Sequence, residues 1–205
     1  MKIIQFFLSL IFLIIVCVVL ILSYLGFIPI ISDMMGAKLK DLGIKYDQRD
    51  YQTLIKKVNG KKEIHDSFSQ EELSSWLNNI HWKYLPVNNT QIRINDEGTV
   101  EFSANILTKN LFELIAPKKI SQFKFINLLK NPPVYMKFVV STIDNKLNLD
   151  LQKIEFGKLS LPMKKINIGQ FVTGILNDLI LKTPGLYIKS IIFSQGQVIF
   201  QGDIK

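Results

Sequence analysis

The sequence predicts an α+β chain: one N-terminal transmembrane helix, then a domain in which antiparallel β-hairpins pack with one or two amphipathic helices. Three observations carry this. Residues 3–31 hold no charged side chain. Beyond residue 90, apolar residues alternate with period two in paired runs separated by turn residues, the signature of hairpins. Two stretches, 73–80 and 168–180, repeat apolar residues at helical spacing instead. The chain has 205 residues, 48% of them apolar and 20% charged, with a formal net charge of +8, which is enough for one domain beyond the anchor.

The first element is Ile3 to Leu25, almost unbroken Ile, Leu, Val and Phe. At about 1.5 Å per residue it covers a hydrocarbon core of about 30 Å with some tilt. A cleaved signal peptide would have a shorter apolar run ending in small residues, and Ser23-Tyr24-Leu25-Gly26 provides no such site. A lipoprotein signal would place small residues before its Cys, whereas Cys17 follows Ile14, Ile15 and Val16. Residues 1–31 therefore read as an uncleaved signal-anchor (helix about 3–25), 32–50 as a juxtamembrane linker containing Gly36 and Gly43, and 51–205 as the folded domain. Flanking charge is close to neutral, with Lys2 before the run and Asp33, Lys38 and Lys40 after it. The short tail ahead of the run decides the orientation: N-terminus cytoplasmic, domain extracytoplasmic, one pass through the cell membrane. The single Cys excludes a disulfide framework, a four-Cys zinc site and a CxxC pair.

Along the domain, Tyr51, Leu54, Ile55 and Val58 mark a short helix stopped at Asn59-Gly60. Ser69 and Glu72 have capping-box spacing, and Leu73, Trp76, Leu77 and Ile80 follow at i, i+3, i+4, i+7. Ile92 and Ile94, then Asn95 to Gly98, then Val100 to Ile106 form a hairpin. A helix near Leu111 leads into an irregular, lid-like connection up to Pro132-Pro133. Residues 134–143 and 146–155 flank Asp144-Asn145, pairing Thr142 with Leu147, Val140 with Leu149 and Phe138 with Leu151. The apolar series then slips by one residue, which predicts a β-bulge near Gln152 or Lys153. Ile168 to Ile180 form an amphipathic helix, closed by Thr183-Pro184-Gly185. The last hairpin turns at Gln195-Gly196 and is apolar on both faces, so either both are covered or one looks into an apolar groove.

These features resemble the YpmS-like and LmeA-like bacterial envelope proteins, small relatives of the TULIP-type lipid-binding modules. The resemblance rests on Phe68-Ser69-Gln70-Glu71-Glu72-Leu73 with Trp76 and Leu77 behind it, the Asn95 to Gly98 turn, the run Phe156 to Pro162, and the closing hairpin Ile191 to Gly202. It covers residues 51–204 through patterns of spacing. It implies a strongly curved antiparallel sheet wrapped around one or two helices with an acyl-chain groove between them. The chain lacks the tandem repeat of the large TULIP proteins.

No HExxH, GxSxG, GxGxxG or GxxxxGK[ST] motif occurs, and His65 and His81 are the only histidines. His65-Asp66-Ser67 holds triad residue types, but sequence neighbours do not meet in triad geometry. Ser121 to Lys124 fits SxxK, Ser103 to Asn105 fits SxN and Lys182 to Gly185 is one insertion from KTG, in the wrong order for a penicillin-binding enzyme. The chain reads as a non-enzyme without a cofactor. Beyond Lys2 it carries 24 basic against 17 acidic residues, and only Arg49 and Arg93 of these are Arg. Lysines give diffuse attraction to anionic lipid or an envelope polymer rather than specific anion reading; an AT-rich genome accounts for the excess equally well. Nucleic acid is not an expected partner, since no RNP-like aromatic motif is present.

The expected function is a membrane-anchored binding module, held to the bilayer through residues 3–25, with a lipid or other apolar ligand in a groove. The lining expected is Phe138, Val140, Leu149 and Leu151 from the sheet and Phe171, Ile175 and Leu179 from the long helix. The alternative is an envelope scaffold or protein-interaction domain with a filled core and a Lys-rich docking face at Lys118, Lys119, Lys164 and Lys165. An open apolar cleft above about 300 Å³ separates the two.

Overall fold

The computed structural model describes residues 2–80, 86–115, 129–143, 145–161, 169–170, 173–174, 177, 181 and 186–204. Helix α1 (Lys2–Tyr24) is followed by a one-turn α2 (Ile31–Met34), α3 (Gln48–Val58), β1 (Glu63–Ser69) and α4 (Gln70–Asn79). Then come β2 (Val87–Ile94), β3 (Thr99–Ile106), α5 (Thr108–Ile115), β4 (Pro133–Ile143), β5 (Lys146–Phe156), β6 (Leu159–Ser160), β7 (Leu186–Ser194) and β8 (Gln197–Ile204). The strands form two antiparallel sheets, a five-stranded one in sequence order β2-β3-β4-β5-β6 and a three-stranded one in the order β1-β8-β7. The α+β class holds.

Helix α1 spans 23 residues. Its side chains are described from Ile11 onward, and Phe12 is 69% exposed. Among the described residues no helix is long and apolar enough to cross a membrane. A helix thus lies over the expected span, and the span itself is absent from what is described.

Local chemistry builds each hairpin as read. In the β4–β5 ribbon Phe138 faces Leu151, Val140 faces Leu149 and Thr142 faces Leu147. The register shifts between Lys137, opposite Lys153, and Phe138, so Gln152 is the extra residue of a bulge. Asn145 takes φ 60° in its turn, a left-handed geometry that Asn tolerates. In the β7–β8 hairpin Phe193 pairs with Val198 and Ile191 with Phe200. At α4, Ser69 Oγ accepts from the Glu72 amide at 3.2 Å while the Glu72 carboxylate accepts from the Ser69 amide at 3.0 Å, the reciprocal capping box.

Two elements departed from the reading. Residues 63–69, which the sequence reading assigned to no element, form β1 and pair with β8 from Glu63↔Asp203 to Ser69↔Gln197. The 32–50 linker is docked rather than free. Its 37–44 portion crosses the outer face of the large sheet, where Ser103 Oγ donates to the Lys40 carbonyl at 2.7 Å and Leu42 N donates to Gln91 Oε1 at 2.6 Å. Leu42 and Ile44 bury themselves against Tyr135. Beneath this strap Glu101 accepts both Arg93 (2.8 and 2.9 Å) and the Tyr135 hydroxyl (3.0 Å). Burial pushes the Glu101 carboxyl up, but these donors, with Asn95, outweigh it and hold the group below its ordinary value. Burial first, then the bond to Glu101, raises Tyr135.

The C-terminal end of α1 is stitched to the domain. Lys158 N donates to the Tyr24 carbonyl at 3.0 Å, Lys130 N donates to the Phe27 carbonyl at 2.7 Å, and the Phe27 ring meets Phe156 with centroids 5.6 Å apart.

Candidate functional site: an apolar cleft between two sheets

Alternation places one set of side chains from each sheet on a common interior. On the large sheet these are Ile92 of β2, Val100 of β3, Phe138 and Val140 of β4, and Leu147 and Leu149 of β5. The small sheet contributes Ile64, Phe68, Ile191, Phe193, Val198 and Phe200, while α3 and α4 add Leu54, Val58, Leu73 and Trp76. The space they enclose is about 500 Å³, and all sixteen residues are Leu, Ile, Val, Phe or Trp. That size lies within the usual range for small-molecule sites. Among the described residues the lining brings no donor or acceptor, which offers water no partner and favours an apolar occupant.

Polar contacts flank the cleft. Asn145 Oδ1, in the β4–β5 turn, accepts from Ile188 N of β7 at 2.6 Å. Gln70 N, at the start of α4, donates to the Gly196 carbonyl of the β7–β8 turn at 3.0 Å. Asn177 bonds both the amide and the carbonyl of Leu147 at 2.8 Å, which satisfies β5 beside the cleft. The described residues from 169 to 181 are helical, so this helix lies against β5.

Of the residues predicted to line a groove, Phe138, Val140 and Leu149 do so. Leu151 does not; it faces Gly169 of the helix. Phe171, Ile175 and Leu179 lie outside the described residues, as do Lys118, Lys119, Lys164 and Lys165. The sequence reading missed the whole small-sheet wall contributed by β1, because Ile64 and Phe68 are separated by His65, Asp66 and Ser67. Their four-residue spacing fits a strand, since Ile64, Asp66 and Phe68 share one face of β1, and the polar Asp66 breaks the apolar pattern. Of the two apolar faces of the last hairpin, one lines the cleft; on the other, Ile192 and Ile199 are 54% and 40% exposed.

The decoys separate. Ser103 is fully buried and serves the strap, and His65 is exposed on β1; the SxxK and KTG-like segments lie outside the described residues. Among the described residues no three His, Cys, Asp or Glu side chains gather to hold a metal. Comparison with known proteins finds no matching family model, no similar curated protein and no similar solved structure.

Proposed function

We propose that the protein is a membrane-anchored, extracytoplasmic binding module whose cleft holds a lipid acyl chain or another apolar ligand. The observation that carries this reading is the cleft of about 500 Å³ lined by sixteen apolar side chains. A filled core leaves no such space, and a catalytic or polar-ligand site would bring polar groups into the lining. The anchor reading rests on the sequence, in which residues 3–31 carry no charged side chain. The short contacts between residues 24–27 and the domain would then keep the cleft at a fixed height above the bilayer. The resemblance to the YpmS-like and LmeA-like proteins points the same way.

Native mass spectrometry of full-length protein extracted in a mild, non-lipid detergent tests the ligand. Wild type is expected to retain lipid-sized adducts, and Val140→Trp, which places an indole in the cleft, is expected to lose them while its far-UV circular dichroism is unchanged. Equal adducts in both proteins, or none in either, would favour the scaffold function instead. A reporter fused after residue 205 tests orientation: activity only on the extracytoplasmic side is expected, and a cytosolic signal would overturn the topology.

A further inference from the structure

The walls of the apolar cleft are not held alike. Each sheet is fixed by its own ladder of backbone hydrogen bonds. Helix α4 is bonded along β2, where Gln70, Ser74 and Asn78 each accept a strand amide. Helix α3 is different. It lies between the cleft and solvent: Leu54 and Val58 line the cleft, while Gln52, Thr53 and Lys56 point away from it and are exposed. Among the described residues no backbone hydrogen bond joins α3 to a sheet. Leu54, Ile55 and Val58 pack with Ile64 and Phe68 of β1, and polar side chains do the rest.

One side chain closes the C-terminal end of this helix. Lys57 Nζ donates to both carboxylate oxygens of Glu72 in α4 and to the Ser67 carbonyl in β1, all at 2.7 Å. A single ammonium thereby joins three elements beside the cleft. The Glu72 side chain is only 7% exposed, a setting in which charge-assisted hydrogen bonds are stronger than in water. Just beyond the latch, Asn59 and Gly60 are exposed, and Gly60, at φ 73°, has nothing within 4 Å of where a Cβ would stand. The backbone is free to turn there. The Lys61–Asp66 pair that follows lies at the surface, where such a pair contributes little. The N-terminal end is held separately. Ser75 Oγ donates to the Asp47 carbonyl at 2.7 Å, and Leu42 and Ile44 of the strap are buried against Tyr135. A helix fixed at its start, closed at its end by one polar cluster and laid over a hollow has the form of a lid.

We infer that α3 is the lid of the apolar cleft, hinged at its N-terminal end and latched by Lys57 on Glu72 and the Ser67 carbonyl. Its role in admitting a ligand rests on the binding function proposed above; the motion of α3 does not, and its test uses no ligand. Full-length protein carrying Cys17→Ser receives one new thiol, either Val58→Cys on the lid or Val100→Cys on the large-sheet wall, where Val100 is 3% exposed. Maleimide labelling of each is timed with the latch intact and with it released by Lys57→Met or Glu72→Gln. The second release keeps an acceptor for the Ser69 amide in the capping box, so it holds the test open if the first variant fails to fold. Labelling of both thiols is expected to quicken about tenfold, the size of one lost hydrogen bond to a charged group. Amide exchange is expected to quicken in α3 and to stay unchanged in β3 and β4. Faster labelling of Val58→Cys alone would mean that α3 frays without opening the cleft, and would overturn the lid. Equal acceleration of exchange in β3 and β4, or unchanged labelling of both thiols, would overturn it too. Both thiols responding in a protein that retains no lipid adducts would support the lid and overturn the binding function alone.

Discussion

At the scale of single residues, two positions show how much one group can hold. Gly157, at φ 61°, lies where a Cβ would come within 2.5 Å of the Leu25 carbonyl carbon and of the Tyr24 and Leu25 oxygens. Those are backbone atoms just beyond the end of α1, which cannot swing aside as a flexible side chain would. Gly157→Ala is expected to cost about 1–3 kcal/mol, seen as a lower Tm, and to raise hydrogen exchange at Lys158, whose amide bonds Tyr24. Unchanged exchange at Lys158 would show that the junction is looser than its contacts imply. Glu101 is the second position. Its folded value is lowered, so its contribution is fully present above the ordinary value of 4.5 and is lost as pH falls through the folded value. Glu101→Gln is expected to lower stability at pH 7 by about 1–2 kcal/mol and to flatten the acid limb of a denaturation series below about pH 4.5. An unchanged acid limb would assign that slope to other carboxylates. This pair was not legible in the sequence, where Arg93 and Glu101 are eight apart across a turn whose register had first to be known.

At the scale of elements, α4 lies along the free edge of β2 through a stripe of polar side chains. Gln70 Oε1 accepts from Ile94 N at 3.1 Å, Ser74 Oγ accepts from Ile92 N at 2.9 Å, and Asn78 meets both Thr90 N (2.9 Å) and Thr90 O (2.8 Å). The spacing explains why this works. Four helical residues advance about 6.0 Å and two strand residues about 6.6 Å, so positions 70, 74 and 78 stay in step with 94, 92 and 90 over three repeats. A helix thereby closes an edge that would otherwise invite another strand. Asn78→Ala is expected to destabilise by about 1–3 kcal/mol and to increase concentration-dependent association in light scattering; a stable, monodisperse variant would contradict the edge-capping role. Opposite this stripe, the apolar positions Leu73 and Trp76 face the cleft. The sequence showed the apolar stripe through its period. It did not show the polar one, because Gln, Ser and Asn at helical spacing look the same whether they meet water or a strand edge.

At the scale of the whole molecule, Asn145 Oδ1 of the β4–β5 turn ties the large sheet to Ile188 N of the small one at 2.6 Å. Asn145→Gly tests this tie cleanly. Glycine keeps the left-handed turn at φ 60° but removes the acceptor for Ile188 N. The expected result is about 1 kcal/mol of lost stability with faster exchange at Ile188 and little change within β4 and β5; uniform loosening of both sheets would point to a single cooperative unit instead. The sequence by itself determined the hairpins, the registers of β4–β5 and β7–β8, a bulge near Gln152 or Lys153 and the capped helix, since each depends on residues within about a dozen positions and on the two periods of 2 and 3.6. Only the tertiary structure decided that β1 completes the small sheet, that residues 37–44 strap the large one, and which apolar faces enclose the cleft. Those outcomes turn on pairs such as Gln70 with Gly196 or Lys40 with Ser103. They are distant in the chain and polar, so no hydrophobic period announces them.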